Sequence, residues 1–169
     1  YLINMIERLL RRGFDVHLSV VERMENDEAY CEQLRCMGVS VTYQEHVDDL
    51  SDPLRALPDR LELCFVTRVY GGGRYIERVI ECCPHSRIVF NTIDLHFVRV
   101  ERQNAISPTK QTEMIAQETR RRECRVAELS DATIVVSTAE KAILEDILPG
   151  THVYVVPLAA ETLGGRAVP

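Results

Sequence analysis

The sequence predicts an α/β fold, Rossmann-like, with a mostly parallel sheet and helices on both faces. Three observations carry this. Stretches with apolar residues at helical spacing alternate with short apolar runs, the signature of stacked β-α units. Apolar runs such as residues 132–136 and 153–158 extend only five or six residues, which suits a buried strand and falls far short of the roughly 18–20 needed to span a bilayer. Hydrophobic residues make up 46% of the 169 and charged residues 27%, a globular balance that excludes intrinsic disorder, collagen and a coiled-coil rod. One domain over residues 1–157 is expected, with the aperiodic residues 158–169, which include Gly164 and Gly165, as interdomain linker or tail.

Residues 1–12 should form a helix, because Leu2, Met5, Ile6, Leu9 and Leu10 share one face and Gly13 stands at the C-terminal cap position. Residues 14–21 read as a strand. Asn26, followed by Asp27 and Glu28, opens a second helix in which Tyr30, Leu34 and Met37 repeat at helical spacing until Gly38. A strand over 39–43 follows. Asp52-Pro53 opens a short helix ending near Leu57, since proline is tolerated at a first helical position. Next come a strand at 61–67, a helix at 74–83 and a strand at 88–93. Residues 97–106 read as a loop, and Ser107-Pro108 marks the start of a long polar helix to about Leu129. Residues 132–136 form the clearest strand, after which Ser137 and Glu140 fit a capping box that opens a helix to about Leu148. Pro149-Gly150 turns the chain into a last strand over 151–156. The first helix has no capping residue ahead of Tyr1, so an upstream first strand with a glycine-rich turn is expected. Without that central strand, open inner edges would promote self-association.

Lys plus Arg number 20 against 26 Asp plus Glu, and the resulting net charge of -6 argues against nucleic acid as a partner. The six cysteines contain no C-x2-C pair, and Cys82 and Cys83 are adjacent, which suits neither a zinc cage nor a disulfide framework. Buried thiols in a reducing cytosol, and no metal, are the expectation. No G-x-S-x-G elbow, H-E-x-x-H helix or Cys-His signature supports a hydrolase or metalloprotease.

Open α/β sheets bind ligands beyond the carboxyl ends of their strands, so the residues that follow each strand carry most weight. Asp94 and His96 lie at such a strand end, and Asp-x-His can supply an acid-base pair or hold a ligand hydroxyl; the plain alternative is a turn-forming Asp beside a surface His. Arg99 and Arg102 fall on one side if their loop is helical and can clamp a phosphate or diphosphate, unless Glu101 and nearby acids pair with them on a solvated surface. Arg68, Gly71, Gly72, Gly73 and Arg74 join a strand to a helix, where glycines leave amides free to approach an anion. That segment matches neither G-x-G-x-x-G nor G-x-x-x-x-G-K-[ST], and a flexible turn is the preferred reading. Ser137 also follows a strand, although the capping box already explains it. Arg120, Arg121, Arg122 and Arg125 are interspersed with Glu118, Glu123 and Glu128, as in an ion-pair lattice on a helix face.

The segment N-T-I-D-L-H-F-V-R-V-E-R at 91–102 is similar to the D-T-V-D-L-H-F-L-R-E-E-R segment of one bacterial branch of the group 1 glycosyltransferases with the GT-B fold. Arg121-Arg122-Glu123, the run L-S-D-A-T-I-V-V-S at 129–137 and Val155-Val156-Pro157 extend the resemblance over roughly residues 1–161, with Leu158-Ala159 where the family has Asn-Gly. The resemblance implies the acceptor-side, N-terminal half of a retaining enzyme. Such an enzyme transfers a sugar from a nucleotide-sugar donor to a saccharide or lipid-linked acceptor without an essential metal. It further implies that a C-terminal domain grips the donor, so that these residues alone are inactive and need no cofactor. Asp94 and His96 would then hydrogen-bond the transferring sugar or acceptor, Arg99 and Arg102 would meet a negatively charged portion, and Ser137 would line the interdomain cleft. A cytoplasmic location, peripheral at the inner membrane face, fits that role. A stand-alone Rossmann-like binding or regulatory module and one half of a nucleotide-sugar epimerase are the competing readings.

Overall fold

The computed structural model describes residues 2–20, 27–43, 54 and 61–157. They fall into two compact units, one within residues 1–44 and one within 45–157. The expected helix cap at Asn26, the short helix near 52–57 apart from the buried Leu54, and the tail 158–169 lie outside the described residues.

The first unit runs α1 (Leu2–Arg11), β1 (His17–Val20), α2 (Asp27–Cys36) and β2 (Ser40–Tyr43). β1 and β2 pair in parallel, with Leu18 opposite Val41. Ile6, Leu34 and Val39 form the buried centre, and Ile3, Leu10, Val16, Leu18, Met37 and Val41 pack around it. Both helices end where the sequence places their glycines. Gly13 and Gly38 adopt φ of 82° and 92°, left-handed backbone that glycine enters without a Cβ clash. β1 starts later than its apolar run suggests, and Phe14 is left 47% exposed in the turn before it.

The second unit runs β3 (Leu63–Thr67), a 3-10 turn (Gly72–Tyr75), α3 (Ile76–Cys82), β4 (Arg87–Asn91), α4 (His96–Ile106), α5 (Lys110–Leu129), β5 (Ala132–Val135), α6 (Thr138–Ile147) and β6 (Val153–Val155). Its four strands stand in the order β3-β4-β5-β6, every pair parallel, as helical crossovers require. Val66, Ile88, Phe90, Val135 and Val153 fill the strand side of the core; Val126, Ala127 and Leu144 are buried on the helices. The fold is α/β and Rossmann-like, as the alternation of elements predicts. No described helix is long and apolar enough to cross a membrane.

Two departures from expectation bear on the site. Residues 97–106 are helical rather than a loop, and Ser107 closes α4 instead of opening the long helix. Pro108 disfavours helical backbone at the residue before it, so α4 must stop there. Thr109 then caps α5: its Oγ1 accepts the Thr112 amide at 3.0 Å, and its own amide donates to Thr112 Oγ1 at 2.9 Å. The strand expected over 88–93 ends at Asn91, because Ile93 turns to φ 66°.

Candidate functional site

At the carboxyl end of β4 the Thr92 amide and hydroxyl both donate to Ile134 O, at 3.1 and 3.0 Å, tying this strand end to β5. Ile93 then takes left-handed backbone, a strained conformation for a β-branched residue. The reversal leads directly into Asp94, Leu95 and the first turn of α4. Leu95 occupies the N-cap position of that helix and has no polar side chain to give.

Two carboxylates from neighbouring helices take its place. Glu123 of α5 accepts the His96 amide at 3.2 Å through Oε1 and the Phe97 amide at 2.9 Å through Oε2. Glu140 of α6 accepts the Leu95 amide at 3.1 Å and the Val136 amide at 3.0 Å. Three successive amides thus meet two carboxyl groups at the positive end of a helix. Glu123 is fully buried, and its carboxyl is pushed up to about 7: burial dominates, the Asp94 and Glu140 charges add to it, and the two amide bonds oppose it. Glu123 therefore does not belong to the surface ion-pair lattice that its arginine neighbours suggest. The lattice itself exists, with Glu118 pairing Arg121 at 2.9 Å and Arg122 at 3.2 Å, and Glu101 pairing Arg120 at 3.0 Å.

On this braced turn Asp94, His96 and Arg99 converge. Arg99 Nε lies 3.4 Å from Asp94 Oδ2, and an Arg99 guanidinium nitrogen contacts His96 Nε2. His96 Nδ1 is 3.6 Å from Asp94 Oδ1, beyond hydrogen-bonding distance, and is buried without a hydrogen-bond partner among the described residues. Burial first, then the Arg99 charge, lowers the imidazole pKa; Asp94 opposes this and Arg68 reinforces it. The ring is consequently neutral near pH 7, with one nitrogen that donates and one that accepts.

The turn after β3 reaches the same place. Tyr70 stands edge-on to His96 with ring centroids 5.6 Å apart. Its hydroxyl is 2.6 Å from Thr119 Oγ1 on α5, and the Arg122 guanidinium lies over its ring at 5.6 Å. Sequence reasoning gives no functional role to Tyr70, and it places Glu123 only in the arginine lattice and in the family-like Arg121-Arg122-Glu123 stretch.

The expected residues divide. Asp94, His96 and Arg99 are together, with Arg68 near enough for its charge to act on His96. Arg102, one turn further along α4, is exposed, and no described contact joins it to that cluster. Gly71, Gly72 and Gly73 press against the end of β3. A Cβ would stand 2.8 Å from Thr67 O at Gly71, 2.8 Å from Thr67 N at Gly72 and 2.9 Å from Arg68 O at Gly73. The Gly73 and Arg74 amides donate within the turn, to Arg68 O at 2.9 Å and Gly71 O at 3.2 Å, so these two amides do not face an anion. Arg74 lies over the Tyr75 ring. Ser137 caps α6, its Oγ accepting the Glu140 amide at 3.2 Å. The capping box is half made, because the Glu140 carboxylate passes Ser137 by and reaches Val136 and Leu95 instead.

Among the described residues no group of three or more His, Cys, Asp or Glu side chains is placed to hold a metal ion. Comparison with protein-family models, curated proteins and solved structures found no match.

Proposed function

We propose that Asp94, His96 and Arg99 form the acceptor-side sugar-binding rim of a retaining, group 1 glycosyltransferase of the GT-B type. The reading rests on one observation: a carboxylate, a neutral imidazole and a guanidinium converge at a strand's carboxyl end, on the very segment whose D-L-H-F-V-R order carries the family resemblance. Sugar hydroxyls both donate and accept, and these three groups offer both roles within one helical turn. Asp94 accepts from a hydroxyl, His96 presents Nε2 as an acceptor beside the Arg99 guanidinium, and Arg99 donates and with Arg68 favours an acceptor bearing negative charge. The edge of the rim at Tyr70 supplies an aromatic ring for the apolar face of a sugar. The nucleotide-sugar donor is assigned to a C-terminal domain, so transfer requires both halves, and these residues by themselves bind acceptor without turning it over.

The test is a transfer assay in the two-domain protein. His96→Ala is expected to lower the transfer rate or acceptor affinity by about 10- to 100-fold, the effect of one or two lost polar contacts in a desolvated site. An unchanged rate together with unchanged acceptor affinity removes His96 from the rim and the proposal with it.

A further inference from the structure

The Glu140 carboxylate is shared between two loops, whereas Glu123 is committed wholly to the head of α4. Its position on α5 is equally specific. It lies on the buried face with Ala116, Thr119 and Val126, and Thr119 is the residue that holds the Tyr70 hydroxyl. A single helix therefore grips His96 twice, its backbone through Glu123 and its ring through Thr119 and Tyr70. A Ser, Thr or Asp at position 95 would cap α4 locally with no buried acid. The fold instead places a carboxylate with no arginine or lysine partner among its described hydrogen bonds and ion pairs, an arrangement expensive enough to need a reason.

We propose that Glu123 is a positioning residue: its carboxylate fixes the first turn of α4, so sets the direction of the His96 ring, and protonation of that carboxylate loosens the hold. The coupling between the two residues is independent of any ligand, and only its bearing on acceptor binding rests on the functional reading above.

The ionised carboxylate offers both oxygens to the two amides and meets the positive end of the helix dipole; the neutral acid surrenders one acceptor and the charge. Burial places this change near neutrality, with the carboxyl at about 7. The charged and titratable groups that bear on it are Asp94 from the turn after β4 and Glu140 from α6, with Cys124 beside it on α5 feeling its charge, while Arg99 and Arg68 bear on His96 itself. Because the imidazole is held below its ordinary 6.5, Glu123 takes up its proton first as pH falls.

The experiment is an NMR titration of the isotope-labelled chain from about pH 5 to pH 9, reading the Glu123 side-chain carbon, the His96 and Phe97 amides and the His96 ring. The expected result is one step near 7 shared by the Glu123 carboxyl and both amides, visible again as an inflection in the His96 ring ahead of its own lower step. In Glu123→Gln that shared step disappears from the amides and the ring, and Glu123→Asp restores it in part. Amides that do not follow the Glu123 carboxyl in the unmodified protein overturn the proposal, and that measurement needs no variant to fold. A ring that titrates in Glu123→Gln as it does in the parent overturns it as well. Shared titration with a negative His96→Ala transfer result would sink the functional reading and leave the coupling standing; the reverse pattern would remove the coupling alone.

Discussion

Two turns leave adjacent strands of one sheet, after β3 and after β4, and each puts a non-glycine residue into left-handed backbone, Arg68 at φ 60° and Ile93 at φ 66°. Each then feeds a helical segment. After β3 the chain holds itself: three glycines let it close on Thr67 and Arg68, and the amides of Gly73 and Arg74 are satisfied within the turn. After β4 the chain is held from outside, by Glu123 and Glu140, whose partners lie 26 to 45 positions away. A self-closed turn leaves little for a ligand to meet. An externally braced turn does not spend its own side chains on closing the backbone, and Asp94, His96 and Arg99 meet one another there instead.

The largest expected consequence of this difference is electrostatic. Glu123 has its folded-state carboxyl raised from 4.5 to about 7, so the folded protein binds the proton more tightly than the unfolded chain does. Its contribution is fully present below about 4.5 and is lost as pH rises through 7. Relative to Glu123→Gln, the parent should therefore lose on the order of 3 kcal/mol of stability between pH 5 and pH 8, read by urea denaturation at both values. A difference that stays flat across that interval breaks the assignment of a buried, titrating acid to the β4 turn.

Gly72→Ala attacks the other turn. The added methyl would lie 2.8 Å from Thr67 N and 3.2 Å from Val66 Cα, both backbone atoms that cannot rotate away. A loss of about 2–3 kcal/mol is expected, with the His96 and Phe97 amide shifts unchanged because the β4 turn is braced separately. Disturbed shifts at His96 would show that the two turns are one unit. The smallest effect belongs to the link between them: Tyr70→Phe removes the hydroxyl contact with Thr119 and should cost about 1 kcal/mol. The ring itself stays against His96, so the His96 titration should move little.

Legibility in the sequence follows the same division between local and imported support. α6 and the strand before it are readable because Ser137 and a run of β-branched residues lie next to each other in the chain. α4 is not, since its cap comes from Glu123, and the one capping-type residue beside its start, Asp94, stands a position too early and turns its carboxylate to Arg99. Ser107-Pro108, which looks like a beginning, is the end of that helix. Asp94 and His96 stand out through strand-end placement and through the family-like order of the segment that holds them. Glu123 hides among arginines, yet a signal exists: Ala116, Thr119, Glu123 and Val126 repeat at helical spacing, so the inward face passes through the acid. At Gly71, Gly72 and Gly73 the sequence marks a tight turn and cannot distinguish amides offered to a ligand from a backbone pressed against a strand. Only the distances to Thr67 make that choice.

Asn91, the last residue of β4, is buried with both ends of its carboxamide unpartnered among the described residues. An aliphatic side chain of similar outline would sit there without that desolvation burden, which for such a group is roughly 1–3 kcal/mol. The molecule thus keeps in reserve a way of becoming harder to melt. It lies two residues before Ile93, where the chain bends toward its proposed substrate, so heat resistance and recognition draw on neighbouring positions.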